Sequence, residues 1–377
     1  MFTKIQSLLD ENYDEMVSIR RYLHENPELT FKEYKTAKYI ADFYANLNIP
    51  FEENVGGNGV VATLKGGKPG KTVALRADFD ALPIQDQKEV SYKSKVPGVM
   101  HACGHDGHTA SLLVLAKVVK EFQEDLPGTI IFVHQHAEEI PPGGAQPIIK
   151  SGVLDNIDAI YGNHLWSLTE LGKIETRVGS FMAGADSFNI KIKGAGGHGA
   201  YPHQTKDSIV IGAELVSQLQ TIVSRKINPI HTAVLTIGQF NAGTAFNIIA
   251  DEAELIGTVR FFDLNIQEQI INEMQKIIDG MQKTHDIEIV FDYQKGHPPV
   301  VNHAQETNHV LNAAKQINDV NEANEVMPQM AAEDFAYYLH HKPGAFFFTG
   351  AQKTDNAYPH HHPMFDIDER ALPIAAK

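Results

Sequence analysis

The feature that most constrains this chain is where its metal-type side chains fall. Three histidines and the only cysteine crowd into Met100-His101-Ala102-Cys103-Gly104-His105-Asp106-Gly107-His108. An adjacent carboxylate pair, Glu138-Glu139, comes next, then His164, then His360-His361-His362. If these groups serve one point, the chain must return to that point from very distant segments. Three polar clusters also follow directly on β-type runs. Residues 72–75 lead into Arg76-Ala77-Asp78-Phe79-Asp80, residues 129–133 into His134 through Glu139, and residues 159–161 into Gly162-Asn163-His164. Open α/β sheets carry their site loops just beyond strand ends. With a helix expected over 109–122, the alternation predicts an α/β fold with a doubly wound, mainly parallel sheet.

The texture changes near residue 183. A β-type run at 187–192 leads into a glycine-rich stretch over 194–203, and a helix is expected over 207–225. Strands near 233–237, 253–261 and 288–291 follow, with a helix over 266–282. Residues 5–44 read as helical, broken at Asn26-Pro27. After residue 295 the pattern predicts helices over 307–317 and 332–340 and a strand over 345–349. A chain of 377 residues exceeds the usual size of one hydrophobic core. Ligand-type residues lie on both sides of the middle stretch. The expected organisation is therefore a catalytic domain formed by 1–182 and 293–377, interrupted by an inserted α+β lid or dimerisation domain at 183–292.

A net charge of −15 argues against nucleic acid or an anionic membrane as partner, because either needs a basic face. It leaves room for a local basic pocket that receives a small carboxylate. No apolar run approaches the ~20 residues of a membrane span, and residues 1–4 do not open a signal peptide. One cysteine forms no internal disulfide. A cytoplasmic setting is expected, with Cys103 free, reactive or metal-bound.

Cys103 and His105 can reach one centre if the loop bends, and Gly104 and Gly107 allow backbone to approach it closely. Either a metal site or a cysteine nucleophile satisfies this pattern. A buried structural cysteine beside surface histidines is the bland alternative. Glu138 and Glu139 end an apolar strand and precede Pro141-Pro142-Gly143-Gly144. One can bind metal while its neighbour moves a proton. His164, taken alone, is more often a hydrogen-bonded core histidine than a ligand, and only one or two of His360, His361 and His362 can face a single site. His198 sits in a glycine-rich stretch that matches neither a dinucleotide fingerprint nor a phosphate loop. Asn247 and Arg260 adjoin β-type runs, where a strand-end contact and substrate binding look alike.

Together these segments resemble the aminoacylase and hippurate-hydrolase branch of the di-metal exopeptidase and amidohydrolase superfamily (peptidase family M20, subfamily D), which includes plant hydrolases of indole-acetyl-amino acids. The resemblance rests on Arg21 through Glu28 with Pro27-Glu28-Leu29, Leu75 through Pro83, His101 through Asp106, Ala137-Glu138-Glu139 with Gly143-Gly144-Ala145, and Gly152-Val153-Leu154. It continues through Gly194 to His203, Gly257-Thr258-Val259-Arg260, Ala332 through Ala336 and His361-His362-Pro363. It implies two divalent metal ions bridged by Cys103, with His105, Glu139, His164 and His361 as further ligands. Manganese or zinc would be the metals, with cobalt or nickel as alternatives. Glu138 would be the general base and Asp78 the carboxylate supporting the ligands. His198 would reach the site from the inserted domain, often across a homodimer formed through that domain. Asn247 and Arg260 would hold the substrate carboxylate. The implied reaction is hydrolysis of N-acyl-L-amino acids of the N-acetyl, N-acetyl-diaminopimelate or hippurate type. Alternatives are a metallo-exopeptidase acting on dipeptides, a cysteine-nucleophile hydrolase, and an inactive metal- or ligand-binding module. The chain departs from the branch at His136, where proline is more usual, and it stops at Lys377, where relatives usually continue into a terminal helix.

Overall fold

The computed structural model describes residues 1–354 and 357–377. The chain forms two compact units, one of Met1–Phe181, Val300–Pro328 and Asp334–Lys377, the other of Met182–Pro299 and Gln329–Glu333.

The first unit opens with helices α1 (Phe2–Glu11), α2 (Tyr13–Glu25) and α3 (Tyr34–Asn46). Met16, Ile19, Arg20, Leu23 and His24 recur at helical spacing on the buried face of α2. Strands β1 (Phe51–Val55), β2 (Gly59–Lys65) and β3 (Lys68–Asp78) follow, then α4 (His105–Lys120), β4 (Pro127–Gln135), α5 (Ala145–Lys150), β5 (Ala159–Trp166), β6 (Lys173–Thr176) and β7 (Gly179–Met182). The second unit holds β8 (Gly184–Lys193), β9 (Gly197–His198), α6 (Ser208–Thr221), β10 (Ala233–Ala242), β11 (Ile248–Ile249), β12 (Glu252–Phe261), α7 (Leu264–His285) and β13 (Glu288–His297). The chain closes with β14 (Val300–Asn302), α8 (Ala304–Ala314), β15 (Glu322–Glu325), α9 (Ala336–His341), β16 (Gly344–Gly350) and α10 (Ala371–Ala376).

The large sheet has eight strands in the order β1-β2-β4-β3-β5-β16-β6-β15. Its centre is parallel, β3 pairing with β4 and β5, and β5 with β16. Antiparallel pairing is confined to β1 with β2, β2 with β4, and β6 with β16. This mainly parallel sheet matches the expected class. Because β3, β4 and β5 run parallel, their carboxyl ends lie at one edge of the sheet, and the polar clusters follow there. Helix α4 is buried along most of its length, from His105 to Val119.

The second unit is α+β. Its four-stranded antiparallel sheet has the order β10-β12-β8-β13. Phe188, Ile190 and Ile192 alternate along β8 and share a core with Leu215 and Leu219 of α6 and with Ile270, Met274 and Ile278 of α7.

Three expectations about elements need correction. The middle unit runs past residue 292, because β13 continues to His297, which pairs with Ala185. Residues 329–333 also join it, the Ala183 N–H lying 3.0 Å from the carbonyls of both Gln329 and Ala331. Strand β5 does not stop at residue 161. Pairing of His164 with Phe348 and of Trp166 with Gly350 carries it through the unpromising Gly162-Asn163, so tertiary context overrides local propensity. The helix expected over 332–340 is only α9, because the Asp334 carboxylate is engaged elsewhere, by Arg76 Nη2 at 2.9 Å and Gln135 Nε2 at 2.7 Å.

Candidate metal centre

The site grows from the ends of β3, β4 and β5 and the start of α4. Asp78 ends β3, and Asp80 lies two residues beyond it. The Glu139 N–H donates to Asp80 Oδ2 at 3.1 Å, as does the Thr30 hydroxyl at 2.9 Å. His105 Nδ1 lies 2.9 Å from the Asp80 carbonyl and 3.2 Å from its Oδ1. With Nδ1 engaged there, Nε2 is the nitrogen left to face the cluster. Helix α4 can start at His105 because Gly104 takes the left-handed conformation, with φ of 96°.

Cys103 Sγ stands 3.4 Å from His164 Nε2, while His164 Nδ1 lies 3.0 Å from the Leu165 carbonyl. His361 Nε2 is 3.3 Å from Glu139 Oε2, and its N–H donates to the Ala102 carbonyl at 2.8 Å. His105 Nε2 lies 3.9 Å from Glu139 Oε1 and 4.0 Å from Glu138 Oε2. Among the described residues, the groups whose ligand atoms lie within 4.8 Å of one another include three triads built from these side chains, Cys103–His105–His164, Cys103–Glu139–His361 and His105–Glu138–Glu139, and a further one of Asp78, His105 and His108. The first two share Cys103.

This donor set fits divalent cations. His105 Nε2 and Glu139 Oε1 are buried with no hydrogen-bond partner, which a bound cation would supply. Burial alone would depress His105, yet Asp78, Asp80 and Glu139 outweigh it and push the ring up to about 10. The hydrogen bond to Glu139 raises His361 as well. The cluster therefore carries an excess of negative potential that favours a positive charge at its centre. His164 is held well below its ordinary value by burial, with His108 and His360 beside it, so it is neutral, as a ligand must be. Thiolate, imidazole and carboxylate together suit zinc, manganese, cobalt or nickel.

Of the triple histidine, only His361 offers a ligand atom to the triads among the described residues. His360 is half-buried, packing on Trp166 at 4.4 Å and edge-on to His164 at 5.0 Å between ring centroids, its Nε2 accepting from the Ser167 N–H at 3.3 Å. His362 stacks on Tyr358 at 4.6 Å between ring centroids. The carboxylate that orients His105 is Asp80. Asp78, expected to support the ligands, bonds His108 Nδ1 at 2.6 Å and Arg76 at 2.5 Å, and its Oδ2 lies 3.7 Å from His105 Nε2. His108 Nε2 in turn accepts from the Leu165 N–H at 2.8 Å, so Asp78 supports the His164 strand through His108. His136, the departure from the branch, is buried beside Gly57 and Phe31 and takes no part in the triads.

Sequence reasoning gave Arg20 no role. Its fully buried guanidinium bonds Asp106 at 2.9 Å, Asp366 at 2.7 Å and Glu369 at 3.1 Å. It thus ties the start of α4, beside His105, to the segment that follows His361. The Arg20-Arg21 pair on a helix was the available signal.

His198, Asn247 and Arg260 lie in the second unit. His198 in β9 pairs with Ile248 in β11, and the Gly199 N–H donates to the Asn247 carbonyl at 2.9 Å. Both His198 and Asn247 are exposed. Arg260 is half-buried on β12, donating to the Thr258 hydroxyl and, at 3.2 Å, to the Val259 carbonyl. His198 and Asn247 are thus neighbours, while Arg260 stands on the other sheet.

The fold and the site define a class. Residues 74–377 match the family described as peptidase family M20/M25/M40, and the chain belongs to that family. A Bacillus subtilis protein provisionally named amidohydrolase YhaA is 53% identical over 376 residues, covering 99% of this chain and 95% of that protein. The N-acyl-L-amino acid amidohydrolase of Geobacillus stearothermophilus is 45% identical over 80% of this chain and 81% of its own. A solved Bacillus subtilis structure, described as a dinuclear metal-binding peptidase of this family, superposes with a TM-score of 0.83 at 34% identity, covering 97% of this chain and 96% of that one. The protein is a hydrolase of the amidohydrolase type. Among the described residues, no helix is long and apolar enough to cross a membrane.

Proposed function

We propose that this protein is a di-metal amidohydrolase that cleaves N-acyl-L-amino acids to a carboxylate and a free amino acid. The observation that carries the reading is the pair of ligand triads sharing Cys103. In this reading Cys103 serves both ions, His105 and His164 complete one site, and Glu139 and His361 the other. Two divalent ions held there supply Lewis acidity for polarising the amide and for making water acidic enough to deprotonate near neutral pH. Glu138, buried beside His105, takes the proton from the attacking water and passes it to the leaving nitrogen. His198 donates a hydrogen bond to the oxyanion that develops on the acyl carbon. Arg260, with Asn247, holds the substrate carboxylate through charge-assisted hydrogen bonds. His164, Trp166 and Phe348 pack around the cluster and limit water on that side.

The similarity to an N-acyl-L-amino acid amidohydrolase supports this substrate class. The acyl group is N-acetyl, N-acetyl-diaminopimelate-type or aroyl, and the metal is manganese or zinc, with cobalt or nickel as alternatives. A homodimer through the second unit is part of the proposal. β10 forms the edge of its sheet, and Ile209, Val210 and Phe240 are exposed nearby. A cytoplasmic setting suits a sole cysteine kept as thiolate.

Two further readings have specific support. The solved relative described as a peptidase favours dipeptides as alternative substrates. The 3.4 Å approach of Cys103 to His164 favours a cysteine nucleophile. The test is a hydrolysis screen of N-acetyl, aroyl and aminoacyl derivatives, with metal-free protein reconstituted in each ion. The proposal expects turnover of N-acyl amino acids that chelation abolishes. Faster turnover of dipeptides would establish the peptidase, and activity that survives chelation but not thiol alkylation would establish the nucleophile.

A further inference from the structure

Glu138 and Glu139 are delivered by an unusual corner. Two residues after β4 ends, Ala137 adopts a left-handed conformation with φ of 55°. Only glycine takes this conformation without steric opposition from its own side chain, so an alanine there must be held in place by its surroundings. The restraints can be named. The Ala137 carbonyl accepts from the Gly144 N–H at 3.0 Å, and Gly144 must be glycine because a Cβ there would sit 1.9 Å from the His136 carbonyl oxygen. The Ala137 N–H donates to Glu33 Oε1 at 3.0 Å.

Glu33 is fully buried just before α3, far from the corner in sequence. Its Oε1 also accepts from the N–H of Phe31 at 2.8 Å, and its Oε2 from Asn58 Nδ2 at 2.9 Å. Phe31 is itself left-handed, with φ of 66°. One carboxylate oxygen therefore collects the N–H groups of two strained, non-glycine residues. A buried carboxylate acting only as a helix cap would bond α3. This one reaches out to the residue that immediately precedes the proposed base. The next restraint along the chain is separate, the Glu139 N–H bonding Asp80.

We propose that Glu33 is a positioning residue for catalysis: by accepting the Ala137 N–H it locks the left-handed corner and so sets the direction in which Glu138 points. The proposal rests on Glu138 being the general base. Because Glu139 has its own anchor in Asp80, the effect falls on proton transfer and spares metal binding.

The test uses the metal-loaded protein and the best N-acyl amino acid from the screen. Glu33→Ala removes the acceptor, and misplacement of a reacting group by about 1 Å typically lowers rate ~10²-fold. The expected result is a fall in kcat of that order, with KM and the metal content by emission spectrometry unchanged. Glu33→Gln keeps one acceptor oxygen for the two N–H groups and is expected to lose about 10-fold or less. The decisive variant is Glu33→Ala combined with Ala137→Gly. Glycine takes the left-handed conformation freely, so the double variant should recover at least about 10-fold of the lost kcat. If Glu33 only stabilises the fold, the added glycine brings flexibility and no recovery. A kcat for Glu33→Ala within about 3-fold of wild type, a loss of metal equal to the loss of rate, or no recovery by Ala137→Gly would each overturn the proposal. Should Glu33→Ala fail to fold, Glu33→Asp is read in the same way, since it keeps the charge and withdraws the acceptor by one methylene. Glu138→Gln run alongside separates the two failures: if it keeps the wild-type rate, the assignment of the base is wrong, whatever Glu33 does.

Discussion

The two units carry their functional candidates in opposite states. In the first unit Cys103, His105, Glu139 and His164 are buried or half-buried, and the exposed His361 is held by Glu139 and by its own backbone. Asp80 holds His105, the Leu165 carbonyl faces His164, and the Ala102 carbonyl takes the His361 N–H. In the second unit His198 and Asn247 are exposed, and Ala200 donates to His198 Nδ1 at 3.1 Å. The first arrangement is preorganised for a cation, whose strong and directional bonds demand fixed ligands. The second keeps polar groups available to a partner that arrives later. Metal binding should therefore depend on the first unit alone, and transition-state stabilisation on both.

The strongest break of this comparison is at the carboxylate pair. Glu138→Gln should retain both metals and lower kcat at the upper end of the ~10²–10⁴-fold range typical of a general base. Glu139→Gln should instead release metal, as measured by emission spectrometry. The reverse pattern would exchange the two roles. Next comes His198→Ala, expected to lower kcat ~10²–10³-fold with metal content unchanged. Mixing inactive His198→Ala with inactive Glu138→Gln subunits sharpens it. Recovered activity places His198 across a dimer. With subunit exchange shown independently, no recovery places it within its own chain. Arg260→Ala should raise KM ~10–10²-fold for N-acyl amino acids and much less for the matching amides, as expected for a lost charge-assisted hydrogen bond. Equal losses on both would remove Arg260 from carboxylate recognition.

The smallest effect concerns stability. His134 is buried in β4, its Nε2 2.8 Å from the Tyr44 hydroxyl, and burial lowers it to about 3. Its folded value lies below the unfolded one near 6.5, so its contribution is present above pH 6.5 and is lost as pH falls toward 3. Each unit in that window removes about 1.4 kcal/mol at most. In chemical denaturation of metal-free protein between pH 7 and 5, His134→Phe should therefore show a flatter pH dependence than wild type. Equal slopes in wild type and His134→Phe would contradict the assignment.

Much of this was legible in the residues. Clusters at strand ends mark one edge of a parallel sheet, and alternation along residues 187–192 already separates the α+β unit from the rest. What escaped was set by long-range contact. The extension of β5 through Gly162-Asn163 depends on β16, nearly two hundred residues away. Asp78 and Asp80 are indistinguishable in sequence, two like carboxylates in one short stretch, and only the placement of His105 and His108 assigns them. Arg20 and Glu33 bond partners distant in the chain, which the Arg20-Arg21 pair on its helix hints at without naming and which nothing local suggests for Glu33. His361 stands apart from His360 and His362 through a left-handed backbone, with φ of 65°, which residue type does not announce.

The central claim is that Cys103 serves two metal ions, and cobalt titration of metal-free protein tests it most directly. Wild type should take up two ions per chain and develop a thiolate-to-cobalt charge-transfer band in the near ultraviolet. Cys103→Ser should lose the band and bind fewer ions. Two tightly bound ions in Cys103→Ser, or a wild-type spectrum without that band, would contradict the account.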